Sequence, residues 1–264
     1  MLKKIFPKSD FVKNVITLVT GTAIAQAIPI AISPILTRIY SPDDFGILAL
    51  FLSIVAVLSV VATGRYEFAI TLPAKDEDAR QILWLSCLFS ILFSCVILIF
   101  VILFNSTITD ILGNDKISEW LYFIPFVVLI SGIYQSFNYW FNRKKKYANL
   151  SKSKITQTLT SSIVNLSVGF ARKGGAFGLI FGQILGQLLS SMYLVFYFFK
   201  NTSIKKIDIK KNKVFALAKR YKDFPQYDIL ASFFNISSSS YTYFLQYFFW
   251  SCNFRLFLFS TKSI

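Results

Sequence analysis

A chain of 264 residues that is 55% hydrophobic yet carries 28 Lys+Arg against 13 Asp+Glu, a formal net charge of +15, keeps its charges in short clusters and has a mean hydropathy of +0.56. That distribution excludes an ordinary soluble domain, whose charges spread over the whole surface. The absence of histidine excludes Ser-His-Asp and Cys-His centres and histidine-based zinc sites, and the three cysteines have neither metal-ligand spacing nor a disulfide framework.

The expected fold class is all-α, a polytopic membrane helix bundle of six transmembrane helices. Spans are predicted near 15–36, 45–64, 82–104, 120–141, 155–170 and 177–199, because roughly 20 apolar residues cross about 30 Å of hydrocarbon. In the first span Thr22, Gln26, Pro29, Ser33 and Thr37 recur at helical spacing, and Gln26 must face protein or a wet cavity. Pro29 and Pro34 should kink that helix. Ala25-Gln26-Ala27 resembles a signal-peptide cleavage site, but the apolar run continues and five spans follow.

The second span ends at Thr63-Gly64-Arg65-Tyr66-Glu67, and Asp76-Glu77-Asp78 reads as part of a solvated loop. In the third, Ser86, Ser90 and Ser94 form a packing seam. The polar loop at 105–119 includes Asn105-Ser106-Thr107, a chance match to a glycosylation acceptor. The fourth carries Ser131, Gln135, Asn138 and Asn142. The fifth, the least apolar, carries Thr158, Ser161, Ser162 and Asn165 with Lys154 a turn earlier, and forms a hairpin with the sixth. Gly174, Gly178, Gly182 and Gly186 make a helix-packing ridge on the sixth, beside Gln183 and Gln187.

The cations gather beside span ends. Arg65, Lys75 and Arg80 follow the second span; Arg143, Lys144, Lys145, Lys146, Lys152 and Lys154 follow the fourth. A run from Lys200 to Lys222 follows the sixth, whereas the intervening loops hold only Arg38, Lys116, Arg172 and Lys173. The positive-inside rule therefore predicts a cytoplasmic N-terminus. This clustering at membrane boundaries also excludes a nucleic-acid partner.

Converging polar stripes would enclose a largely uncharged lumen edged by cations. Amides and hydroxyls suit a sugar, and cations suit phosphate. The expected substrate-path residues are Gln26, Arg38, Arg65, Gln135, Asn138, Lys154, Asn165 and Gln183. No acidic residue is expected in the membrane core. No catalytic residue, metal or cofactor is expected, so the chain is read as a non-enzyme.

Three segments, Gly21-Thr22-Ala23-Ile24-Ala25-Gln26, Leu36-Thr37-Arg38-Ile39-Tyr40-Ser41-Pro42-Asp43-Asp44-Phe45-Gly46 and Gly64-Arg65-Tyr66-Glu67-Phe68-Ala69-Ile70, resemble the polysaccharide-biosynthesis, or O-antigen, flippases, as does Arg220-Tyr221-Lys222-Asp223-Phe224-Pro225. The resemblance implies one lobe of a two-lobe transporter in the bacterial inner membrane. Such a transporter moves undecaprenyl-pyrophosphate-linked oligosaccharide by alternating access. Its implied partners are that lipid-linked substrate, membrane lipids and polysaccharide polymerase machinery. The implied division is a six-span lobe at 1–199, a basic linker at 200–225 and the start of a seventh span at 226–264. A one-nucleotide shift in the codons of 249–264 permits a family-like continuation, so the tail is expected to be a frameshift product. Competing readings are a multidrug-extruder-like exporter, which would favour acidic cavity residues, a non-transporting scaffold or inactive half-protein, and a membrane glycosyltransferase, which would need a positioned carboxylate.

Overall fold

The computed structural model describes residues 8–113, 115–172, 175–201, 211–229 and 231–232. Most of the expected seventh-span opening at 226–264 lies outside the described residues. The elements are α1 (Lys8–Ile39), α2 (Pro42–Val61), the short α3 (Tyr66–Ala69), α4 (Asp76–Leu112), a 3-10 turn (Asp115–Ile117), α5 (Ser118–Leu121), α6 (Ile124–Arg143), α7 (Tyr147–Arg172), α8 (Ala176–Asn201), α9 (Lys211–Arg220) and a π-helical turn (Phe224–Asp228).

Among the described residues five segments, within α1, α2, α4, α5–α6 and α8, are long and apolar enough to cross a membrane. The fifth predicted span corresponds to α7, which has 26 residues but a much more polar composition. It is sheltered by extensive packing along α1 and α8, so its neighbours supply the environment that its own sequence does not. Along α4, Leu92, Val96, Ile99 and Leu103 lie 58–68% exposed at three- and four-residue steps. Such a stripe is costly in water and matched to lipid.

Local chemistry sets the turns. Ser41 caps α2: its hydroxyl accepts from the Asp44 N–H at 3.3 Å, while Asp44 Oδ2 accepts from the Ser41 N–H at 3.0 Å. Pro42 occupies the first turn, where its missing N–H is harmless. After α2 the chain turns sharply through Gly64 (φ 58°) and Arg65 (φ 60°). A left-handed arginine is uncommon and is held there by its surroundings.

Two expectations change. Asp76, Glu77 and Asp78 form the first turn of α4, where carboxylates complement the helix dipole. Asp76 pairs with Arg143 at 3.2 Å and with Lys144, and Lys213 of α9 reaches Glu77 at 3.1 Å and Asp78 at 2.8 Å. These opposing cations, distant in sequence, make the cluster an ion-paired corner. The expected loop after the third span is also largely helical: α4 kinks at Phe104 (φ −121°, ψ 18°) and continues to Leu112. Asn105 is held in this region, donating to the Ser118 carbonyl at 3.1 Å and accepting from the Ser118 hydroxyl at 2.8 Å.

Because lipid is as apolar as leucine, apolar burial does little to join helices in a bilayer; close packing and polar contacts do so instead. Between α4 and α6, the Ser86 and Ser136 hydroxyls lie 2.7 Å apart, and Ser94 donates to the Pro125 carbonyl. Between α1 and α7, Ser151 donates to the Thr17 carbonyl at 3.0 Å, and Tyr40 donates to the Asn165 carbonyl at 2.7 Å. Between α7 and α8, a Cβ on Gly186 would lie 2.6 Å from the Gln157 carbonyl, and one on Gly182 would lie 2.9 Å from that of Ser161. Gly178 faces the Tyr40 hydroxyl and Val168. The ridge from Gly178 to Gly186 is thus a seam inside the bundle; Gly174 lies outside the described residues.

Candidate functional site

Between α1, α2, α6, α7 and α8 a cavity of about 400 Å³ opens, lined by Thr22, Ala25, Gln26, Ser59, Ser131, Tyr134, Gln135, Lys154, Gln157, Thr158 and Gln187. Helical spacing builds it. Thr22 and Gln26 stand four apart on α1, Ser131 and Gln135 four apart on α6, and Lys154 and Thr158 four apart on α7. Several polar groups are pinned locally: Thr22 donates to the Leu18 carbonyl at 2.5 Å and Thr158 to that of Lys154 at 3.2 Å. Gln157 Nε2 donates to Gln187 Oε1 at 2.5 Å, joining α7 to α8 on the cavity wall. The buried Ser59 hydroxyl has no hydrogen-bond partner among the described residues. Among the described residues, Lys154 is the one charged side chain in this lining.

Of the substrate-path residues expected from sequence, Gln26, Gln135 and Lys154 meet at this cavity, as do Thr22, Ser131, Thr158 and Gln187 from the polar stripes and the ridge flank. Arg38 is exposed in the last turn of α1, at the end of that helix away from the N-terminus. Asn138 and Gln183 are half-buried outside the cavity lining. Asn165 belongs to the α7–α8 seam: with its amide nitrogen turned toward α8, it donates to the Gly178 and Ser161 carbonyls, both at 3.0 Å. Sequence reasoning missed Gln157, Tyr134 and Ser59 as cavity residues. Gln157 follows Lys154 by three positions, so extending that stripe by its other helical step would have found it.

Arg65 belongs to a separate cluster at the bundle's basic end. Its guanidinium lies 3.7 Å from Glu67, whose side chain is 1% exposed, and 5.4 Å from the Phe68 ring centre. Thr63 donates to Glu67 Oε2, while Glu67 Oε1 and Arg65 Nε have no hydrogen-bond partners among the described residues. Burial pushes the Glu67 carboxyl above its ordinary range, against the opposing pull of Thr63, a backbone N–H and Arg65; Asp228 adds to the rise. Sequence reading placed this glutamate at the end of the second span, with no burial assigned to it. It is buried because α3 folds back against α4, α6 and the π-helical turn.

A multi-pass helical bundle with a polar cavity between its helices points to a transporter-type membrane protein rather than an enzyme. The profile of a family described as polysaccharide biosynthesis protein matches residues 35–241. The chain belongs to that family. No curated protein and no solved structure matches it. Membership gives the chain a transport-related role in polysaccharide synthesis.

Proposed function

We propose that this chain forms the N-terminal six-helix lobe (1–199) of a flippase, followed by a basic inter-lobe linker (200–225). It carries undecaprenyl-pyrophosphate-linked oligosaccharide from the cytoplasmic to the periplasmic leaflet of a bacterial inner membrane. The observation that carries this reading is the interhelical cavity, walled among the described residues by amides and hydroxyls together with Lys154. Amides and hydroxyls exchange hydrogen bonds with sugar hydroxyls, and a lysine offers a charge-assisted bond to a phosphate oxygen. Gln26, Gln135, Gln157 and Gln187 are the proposed sugar contacts. Arg65 stands where a phosphate would enter from the cytoplasm. The open side of the cavity faces a second lobe, and rocking of the two lobes exposes the cavity to each leaflet in turn.

Charge placement supports a cytoplasmic N-terminus. Arg65, Arg143, Lys144 and Lys213 gather at one end of the bundle, around α3 and the first turn of α4, as the positive-inside rule requires of a cytoplasmic face. Among the described residues the cavity lining contains no carboxylate, which disfavours a multidrug-extruder-like exporter of cations. Asp76, Glu77 and Asp78 are engaged by cations, which disfavours a glycosyltransferase built on them.

The test is deletion of the gene and measurement of surface polysaccharide, followed by complementation with a full-length two-lobe version carrying Lys154 or Lys154→Ala. Loss on deletion, rescue by the first and failure of the second are expected. Unchanged surface polysaccharide on deletion would overturn the reading.

A further inference from the structure

Outside the bundle proper, α9 packs against α4 and is amphipathic. Val214, Phe215, Leu217 and Ala218 are apolar, whereas Lys213, Lys219 and Arg220 are basic. Between the two helices runs a groove of about 580 Å³ walled by Trp84, Leu88 and Ile91 of α4 and by Val214, Phe215 and Ala218 of α9. Its walls are open to the surroundings: Phe215 is 76% exposed, Leu88 50% and Ile91 46%.

Depth and charge together define the occupant. Trp84 lies about 12 Å along α4 from Asp76, and Ile91 about 22 Å, so the groove runs from the charged end of the bundle into the hydrocarbon. A flexible hydrocarbon chain fits that path. Lys219 follows Phe215 by one helical turn, and both Lys219 and Arg220 are exposed. Lys213 bridges the nearby carboxylates Glu77 and Asp78 and offsets one of their two negative charges, while Lys219 and Arg220 add two positive charges farther along α9. A basic amphipathic helix at a membrane boundary attracts anionic lipid.

The geometry points to a binding site for an anionic phospholipid, with an acyl chain in the α4–α9 groove and its phosphate at Lys219 and Arg220. The site is separate from the interhelical cavity, and its logic holds whichever leaflet α9 faces.

Trp84 in the groove wall reports occupancy directly. In the full chain carrying Trp120→Phe, Trp140→Phe and Trp250→Phe, reconstituted in phosphatidylcholine vesicles, Trp84 fluorescence is followed as acyl-brominated phosphatidylglycerol or acyl-brominated phosphatidylcholine is added. Quenching should favour the brominated phosphatidylglycerol, by about fivefold in apparent affinity for each cation engaged, and Lys219→Glu with Arg220→Glu should abolish the preference. As a second measurement on the chain with all its tryptophans, native mass spectrometry should show phosphatidylglycerol retained over phosphatidylcholine, and the double charge reversal should remove that difference. Equal quenching by the two lipids, no quenching by either, or retention that ignores the charge reversal would overturn the site.

Discussion

Gln157 on α7 donates its side-chain amide to the Gln187 carbonyl oxygen on α8 at 2.5 Å, on the wall of the interhelical cavity. The pair has two consequences that separate under mutation. Interhelical polar bonds in membranes contribute about 0.6 kcal/mol on average, so Gln157→Leu with Gln187→Leu should change thermal stability in detergent little. The same double variant removes two amides from the cavity and should fail to restore surface polysaccharide. A double variant that restores it would take both glutamines out of the substrate path.

Lys154 provides a sharper test. A hydrogen bond to a charged group contributes roughly 1.5–3 kcal/mol, so Lys154→Gln should weaken binding of a pyrophosphate-linked substrate by roughly ten- to a hundredfold. Lys154→Arg should retain most of it. Binding of a lipid pyrophosphate to purified protein, measured beside thermal unfolding, distinguishes lost charge from lost fold.

The glycine seam predicts a stability difference by position. Gly182→Ala drives a methyl group against the Asn165 amide and the Ser161 carbonyl, and overpacking of this kind costs about 1–3 kcal/mol. Gly46→Ala in α2 meets nothing within 4 Å and should be neutral or stabilising, by at most about 1 kcal/mol. Melting in detergent should drop for the first and not for the second.

Two carboxylates at the basic end give opposite pH responses. Lys144 and then Arg143 hold Asp76 below the usual carboxylate range, despite partial burial. Its stabilising contribution is present above the unfolded-state value of about 3.9 and is lost as pH falls through the lower folded value. Asp76→Asn should therefore flatten the acid limb of a melting-temperature profile below about pH 4.

Glu67 has the reverse sign. Burial raises its carboxyl, so its contribution is complete below the unfolded value of about 4.3 and declines as pH rises through the higher folded value. Glu67→Gln keeps a partner for Thr63 and removes the titration. It should gain stability relative to the parent as pH increases from about 4 toward neutrality. Parallel profiles for the two proteins would show that Glu67 does not titrate in that range.

Sequence patterning reveals the helices because lipid imposes length and apolarity one segment at a time. Even the Ser41-Pro42-Asp43-Asp44 turn follows from local capping chemistry. Where tertiary neighbours supply the environment, the pattern fades. Helix α7 can be polar because α1 and α8 pack along it, and the Asp76 carboxylate is ion-paired because Arg143 and Lys144, distant in sequence, come to meet it. The stripes indicated which faces are polar but not which would converge: Gln135 reached the cavity, whereas Asn165, on an equally polar face, was taken by the glycine seam. Glu67 was the hardest to read, since its burial depends on the left-handed turn at Arg65 and on the π-helical turn more than 150 residues later.

Lys213 grips Glu77 and Asp78, and Tyr66 donates to the Ala218 carbonyl at 3.4 Å, so α9 is fastened at both ends to the same corner of the bundle. Those two ties run to different elements, Lys213 to α4 and Ala218 to α3, so a single ten-residue helix clasps both sides of the connection between the second and third spans.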